Sequence, residues 1–161
     1  MPRRKKVSLK REIGVDLRFK SSLVQKFINV VMRKGKKNDA RSIVYGAIDI
    51  LTKKVAGGDE KKALRFFMES FEKVVPFVEV RSRRVGGSVY QIPREVKVDR
   101  GRALAMRWLI AAAKARPNKA MAERLAFELM DAHEGRGSAH KKKLDIHKMA
   151  EASRAFAHYA W

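Results

Sequence analysis

A change of period at residues 77–92 constrains this chain more than anything else in it. On either side, apolar residues recur at intervals of three and four, the spacing of amphipathic helices. Between them, Phe77-Val78-Glu79-Val80-Arg81-Ser82-Arg83-Arg84-Val85-Gly86-Gly87-Ser88-Val89-Tyr90-Gln91-Ile92 is β-rich and centred on two glycines. A two-residue Gly-Gly step between such runs signals a hairpin, because primed turns need positive φ at their central positions. With the turn there, Arg84 faces Val89, Arg83 faces Tyr90 and Arg81 faces Ile92. The paired part would reach roughly 15–25 Å from the body. Two strands alone are marginal in water, so the ribbon must lean on helices or a ligand. Pro93 suits the ribbon's end or edge.

Six helical patterns surround it. Ser22 and Gln25 read as a capping box for the first, with Leu23, Val24, Phe27, Ile28, Val31 and Met32 as its stripe and Gly35 as its stop. Asn38 or Asp39 would cap the second, which carries Ile43, Val44, Ala47, Ile48 and Leu51 and ends at Gly57-Gly58. Asp59 would cap the third, with Leu64, Phe67, Met68, Phe71 and Val74, closed by Pro76. After the ribbon, 99–115 places Leu104, Trp108, Leu109 and Ala112 on one side, and 118–133 does the same with Met121, Ala122, Leu125, Leu129 and Met130. A last helix from about 144 carries Ile146, Met149, Ala150, Ser153, Phe156, Ala157 and Ala160. Met32, Met68, Met106, Met121, Met130 and Met149 read as core or near-core packing. Residues 1–20 show no period and read as an extended basic arm. The expected fold is therefore mainly α: about six helices in one bundle-like domain, 21–161, with a projecting two-stranded β-hairpin at 77–92 and the N-terminal arm. A length of 161 residues suits one domain with a real core.

Charge decides what such a domain meets. Lys and Arg number 38 against 17 Asp and Glu, a net of +21. Residues 1–41 carry +11 of it, 42–75 only +1, 76–102 +4, 103–148 +5 and 149–161 none. One near-neutral segment reads as structural, and the rest as contact surface for a polyanion. Cysteine is absent, which removes disulfides, thiolate metal sites and cysteine nucleophiles. The basic start has no apolar region after it, and no run approaches 18 apolar residues, so a cytoplasmic location without a membrane span is expected. Basic residues do not concentrate on one amphipathic helix, which argues against membrane-surface binding.

No catalytic constellation emerges. Gly35-Lys36-Lys37 lacks the rest of a P-loop, and Ser138 is not in a Gly-x-Ser-x-Gly elbow. His133, His140 and His147 are spaced by seven, but glycines interrupt them and no carboxylate cluster completes a metal site. No cofactor and no metal is expected. The basic clusters carry more. Arg3, Arg4, Lys5 and Lys6 could follow a nucleic-acid groove or simply solubilise the chain. Arg81, Arg83 and Arg84 with Tyr90 combine guanidinium forks and a stackable ring, suited to RNA; a charged edge that blocks sheet aggregation is the alternative. Lys141, Lys142 and Lys143 stand just before the expected last helix, where a phosphate would relieve their opposition to its dipole, unless they point into water. Arg100, Arg102 and Arg107 with Lys114, Arg116 and Lys119 could form a basic face on the fourth and fifth helices, or an ordinary solvated one.

Val80-Arg81-Ser82-Arg83-Arg84-Val85-Gly86-Gly87-Ser88-Val89-Tyr90-Gln91-Ile92-Pro93 closely resembles the central signature of the bacterial small-subunit ribosomal protein seven family. Met121-Ala122-Glu123-Arg124-Leu125-Ala126, the run from His147 to Trp161, Pro2-Arg3-Arg4-Lys5-Lys6 and Lys26-Phe27-Ile28-Asn29-Val30-Val31-Met32 match it too. Asp16-Leu17-Arg18-Phe19 departs, since relatives usually have Asp-Pro there. The resemblance implies a helical domain with a hairpin arm that binds the 3′ major domain of small-subunit ribosomal RNA and nucleates assembly of the subunit head. Expected RNA contacts are the clusters above plus Lys10, Arg11, Arg33, Lys34, Lys36, Lys37 and Arg41. The family would place the hairpin tip, Val85, Gly86, Gly87 and Ser88, beside the messenger RNA exit path and the exit-site transfer RNA. Arg154 and His158 would lie near that transfer RNA, with small-subunit proteins eleven and nine as neighbours. A DNA-architectural protein is the rival reading, and an RNA-modifying enzyme a third. A Gly-Gly tip cannot supply the wedge that minor-groove proteins often insert.

Overall fold

The structure, a computed structural model, describes residues 12–159. Arg3, Arg4, Lys5, Lys6, Lys10 and Arg11 lie outside the described residues. Six α-helices and one hairpin follow in order: α1 (Ser22–Val31), α2 (Lys37–Lys54), α3 (Glu60–Val74), β1 (Val78–Val85), β2 (Ser88–Glu95), α4 (Val98–Ala115), α5 (Met121–His133) and α6 (Ser138–Ala152), closed by a 3-10 helix (Arg154–Tyr159). The mainly helical fold with a hairpin arm is the one the apolar periods predict. Helix α5 is the hub, packed against α2, α3 and α4. Around it, Phe27, Ile28, Ile48, Leu51, Phe67, Phe71, Leu109, Leu125 and Leu129 are fully buried. Phe27 and Phe67 meet edge to face, 5.6 Å between centroids.

The hairpin has the expected register, with Arg84 opposite Val89, Arg83 opposite Tyr90 and Arg81 opposite Ile92. Gly86 and Gly87 adopt φ of 56° and 88°, the left-handed pair a two-residue turn demands. Directly opposed residues share a face. One face therefore carries Glu79, Arg81, Arg83, Tyr90 and Ile92, of which Glu79 and Ile92 are buried against the body. The other carries Ser82, Arg84, Val89 and Gln91, all exposed.

Several local readings change. The first helix is capped by Ser21 without a side-chain bond, and Gln25 donates to Asn29 rather than closing a capping box. Lys36 precedes α2, so Asn38 and Asp39 sit inside its first turn; Asp39 there faces the positive end of the dipole. Asp59 caps α3 as expected, accepting from the amides of Lys61 and Lys62. On α4 the buried stripe is Gly101, Ala105, Met106, Leu109, Ile110 and Ala113, with Leu104, Trp108 and Ala112 half-buried on its flank. Met149 is 43% exposed, unlike the other helical methionines.

The largest change is α6, which starts at Ser138, well before residue 144. Its cap is tertiary. Glu128 on α5 is fully buried, and its Oε1 accepts from the backbone amide of Ala139 at 2.9 Å. Its other oxygen accepts from Arg116 Nε at 2.8 Å, and Arg116 also pairs with Asp131. A Cβ on Gly137 would stand 2.8 Å from Glu128 Oε1 and 3.1 Å from the Ala132 amide nitrogen, so the chain passes only as glycine. Lys141, Lys142 and Lys143 therefore lie within α6, and a phosphate site at a helix start beginning after them does not form. The helix also stops at Ala152, and the 3-10 helix turns back onto β2, seating Phe156 on Tyr90.

Replacing Glu128 by Ala strands the helix-start amide of Ala139 and leaves Arg116 to Asp131 alone, and lowers the unfolding free energy by about 1–3 kcal/mol. Glu128→Gln keeps one acceptor for Ala139 and loses less, and Gly137→Ala destabilises by displacing the carboxylate. Denaturant unfolding of the three variants checks the order.

Candidate nucleic-acid interface

The hairpin's cations are sorted by its pleat. Arg84 is exposed on the outer face, while Arg81 and Arg83 share the inner face with Tyr90. Tyr90 is half-buried with its ring 5.1 Å from that of Phe156, so it packs the ribbon onto the C-terminal segment instead of offering a base an open face. At the ribbon's root Glu79 accepts from Arg81 Nε at 2.8 Å and Arg100 Nε at 2.7 Å. Burial pulls the Glu79 carboxyl upward, but the bonds from Arg100 and Arg81 outweigh it and hold it below its ordinary value. Two of the expected RNA-binding arginines are thus also the clamp that fixes the arm to α4. Beside them Arg102 reaches Glu72 at 3.2 Å.

A second group lies where α1 and α4 end. Arg33, Lys34, Lys36 and Lys37 are exposed and form no ion pair among the described residues. Lys34 and Gly35 take φ of 51° and 77°, turning the chain into α2. Lys114 from α4 sits close enough to Arg33 to feel it: burial first, and then that guanidinium, push its pKa down. Like charges held together by a fold favour an anion between them. Lys37 and Arg41 also line an open concavity of about 560 Å³ with Gln25 and Asn29. Arg41 Nε is buried without a hydrogen-bond partner among the described residues.

The remaining candidates separate. Lys141 and Lys142 are exposed on α6, whereas Lys143 is half-buried and donates to the carbonyl of Lys73 at 2.8 Å. Arg107 and Lys119 face solvent. Arg116 is held by Glu128 and Asp131 and serves the fold. Arg154 and His158 are exposed on the 3-10 helix beside β2. The three histidines spaced by seven do not converge: His133 stacks on Phe66, His147 meets Phe77, and no group of three metal-ligating side chains forms among the described residues.

Sequence reasoning missed a knot at residues 16–20, which belong to a closed turn. Buried Asp16 accepts from the amides of Arg18 and Phe19 and from the Tyr45 hydroxyl at 2.7 Å. Arg18 bridges Asp49 on α2 and Glu60 on α3, which raises its pKa further. An aspartate bonding its own backbone two and three residues on is a recognisable turn signal. It fixes the loop with Leu17 at the position after Asp16, its side chain 81% exposed.

A helical body whose cations without ion pairs among the described residues stand in separate groups, with a clamped basic ribbon, has the form of a nucleic-acid-binding protein. The ribosomal protein S7p/S5e family model matches residues 2–154. Over the full length of both chains the sequence is 53% identical to the small ribosomal subunit protein uS7 of Colwellia psychrerythraea and 52% identical to that of Aliivibrio salmonicida. The protein of that name from Idiomarina loihiensis is 53% identical over the same span. The chain belongs to the S7p/S5e family of ribosomal proteins, and is an RNA-binding protein of translation, not an enzyme.

The clamp has a pH signature. A carboxyl held below its ordinary 4.5 contributes stability that is complete above that pH and is lost as pH falls through the lowered value. The stability gap between the wild type and Glu79→Gln is therefore constant above about pH 5.5 and shrinks below 4.5, read by urea unfolding across that range.

Proposed function

We propose that this chain is a primary binder of the 3′ major domain of small-subunit ribosomal RNA and nucleates assembly of the subunit head. The observation that carries the reading is the separation of the cations that form no ion pair among the described residues. Arg33, Lys34, Lys36 and Lys37 at the end of α1, Arg84 on the ribbon, and Lys141 and Lys142 on α6 lie on different elements around an apolar core. A folded RNA junction presents phosphates in several directions at once, which a straight duplex does not. The basic N-terminal residues Arg3, Arg4, Lys5, Lys6, Lys10 and Arg11 add a further grip. Arg41, Arg81, Arg83, Arg100, Arg102, Arg107, Lys114 and Lys119 complete the surface.

The hairpin tip, Val85 to Ser88, lies in this reading beside the messenger RNA exit path and the exit-site transfer RNA. Arg154 and His158 approach the same transfer RNA, with proteins eleven and nine adjacent. Support comes from the relatives' own designation as small-subunit proteins and from the docking of the 3-10 helix on β2, which brings these residues to one side of the arm. Among the described residues no helix is long and apolar enough to cross a membrane.

Contact with roughly six to ten phosphates lowers affinity roughly 10³–10⁵-fold between about 50 and 200 mM salt. A flat response overturns the reading, as does equal affinity for duplex DNA in competition. Arg83→Ala with Arg84→Ala weakens binding to the transcribed 3′ domain while the helical circular dichroism signal is kept. Loss of that signal would make the ribbon part of the core.

A further inference from the structure

We infer that Phe77, with Lys143 and His147 beside it, is a stacking platform for one unpaired base of the bound RNA. The inference rests on the RNA-binding reading above and names a contact that charge alone does not provide. Phe77 is 71% exposed and, among the described residues, is the one phenylalanine left mostly in water. Single exposed apolar residues are ordinary. This one is built in. Its backbone amide donates to His147 Nε2 at 3.3 Å, and its carbonyl accepts from the Val96 amide at 2.9 Å. Both main-chain groups are thus tied, one to α6 and one to the residue that follows β2 at the ribbon's root.

The ring has chosen neighbours. Lys143 Nζ lies 5.4 Å from its centroid, within cation–π range, and is itself held by the Lys73 carbonyl. The His147 ring stands 6.1 Å away at 52°. Accepting a backbone N–H requires a lone pair on Nε2, so His147 is neutral here. Burial, and then the Lys143 ammonium, lower its pKa in agreement. Lys142 and Lys148 precede and follow the pair on α6, exposed and without ion pairs among the described residues.

A flat apolar face rimmed by lysines suits a base with phosphates on either side. Every base has such a face, and stacking on an aromatic side chain needs no hydrogen-bond match. Protein interfaces are depleted in lysine, so a protein partner suits this rim less well. Tyr90, the ring on the ribbon itself, is half-buried against Phe156 and offers less open face than Phe77.

The test is the affinity of the full chain for a transcript of the 3′ major domain at fixed salt. Phe77→Ala weakens binding roughly 5- to 150-fold, the range of one lost base stack. Phe77→Leu, apolar but without a π-face, loses most of the same affinity, and Phe77→Trp retains it. The salt slope is unchanged throughout, because the ring neutralises no phosphate. Unchanged affinity in Phe77→Ala overturns the platform and leaves the face to a protein partner; full affinity in Phe77→Leu replaces stacking by plain apolar contact. Either result, with wild-type binding steep in salt, sinks this inference alone. Weak, salt-insensitive binding by the wild type sinks the RNA-binding reading with it.

Discussion

The buried carboxylate of Glu128 is the contact on which the rest of the molecule depends. A fully buried charge is costly unless paired and hydrogen-bonded, and Glu128 has both an arginine and a backbone amide. Those two partners come from the connection after α4 and from the start of α6. One side chain on the hub helix therefore sets where the next helix begins. The start of α6 in turn places Lys143 and His147 against Phe77, at the root of the ribbon. An internal ion pair here specifies the geometry of a surface more than it adds stability.

The same economy governs the cations. With a net of +21, repulsion opposes compaction, and several of the 17 carboxylates stand at joints. Arg18 between Asp49 and Glu60 closes the N-terminal turn over α2 and α3, and Glu79 clamps the arm to α4. Arginines serve these sites because a planar fork can span two acceptors. The lysines are left mostly outside, as hydrated point charges suited to phosphates in many geometries.

What could be read in advance followed from period and turn chemistry. The stripes of α1, α2, α3 and α5, the Asp59 cap and the Gly86-Gly87 register are local, and each appears in the fold as the residues dictate. The start of α6 could not be read, because its cap comes from another helix and Gly137 carries no capping side chain. The seat of Tyr90 could not be read for a similar reason: a ring that looks stackable on an isolated ribbon packs against Phe156 from a segment more than sixty residues later. Charge clusters located the basic surfaces but did not separate Arg116, tied into the core, from Lys114, two residues away and exposed. Phe77 was visible only as part of a β-rich run. The neighbours that give it meaning are on α6.

The ribbon shows how a marginal element becomes a usable arm. Two strands bury too little to hold themselves in water. Here the root is fixed by Glu79 to α4 and by Phe77 to α6, and the middle is seated by Tyr90 on Phe156. Each anchor lies on the inner face or at the base, so the outer face and the Gly-Gly tip stay uncommitted. Such an arm meets its ligand with its root already ordered, and the entropy of placing it is spent in folding, not in binding. The Gly86-Gly87 tip, free of side chains, leaves room for a partner's backbone to approach closely.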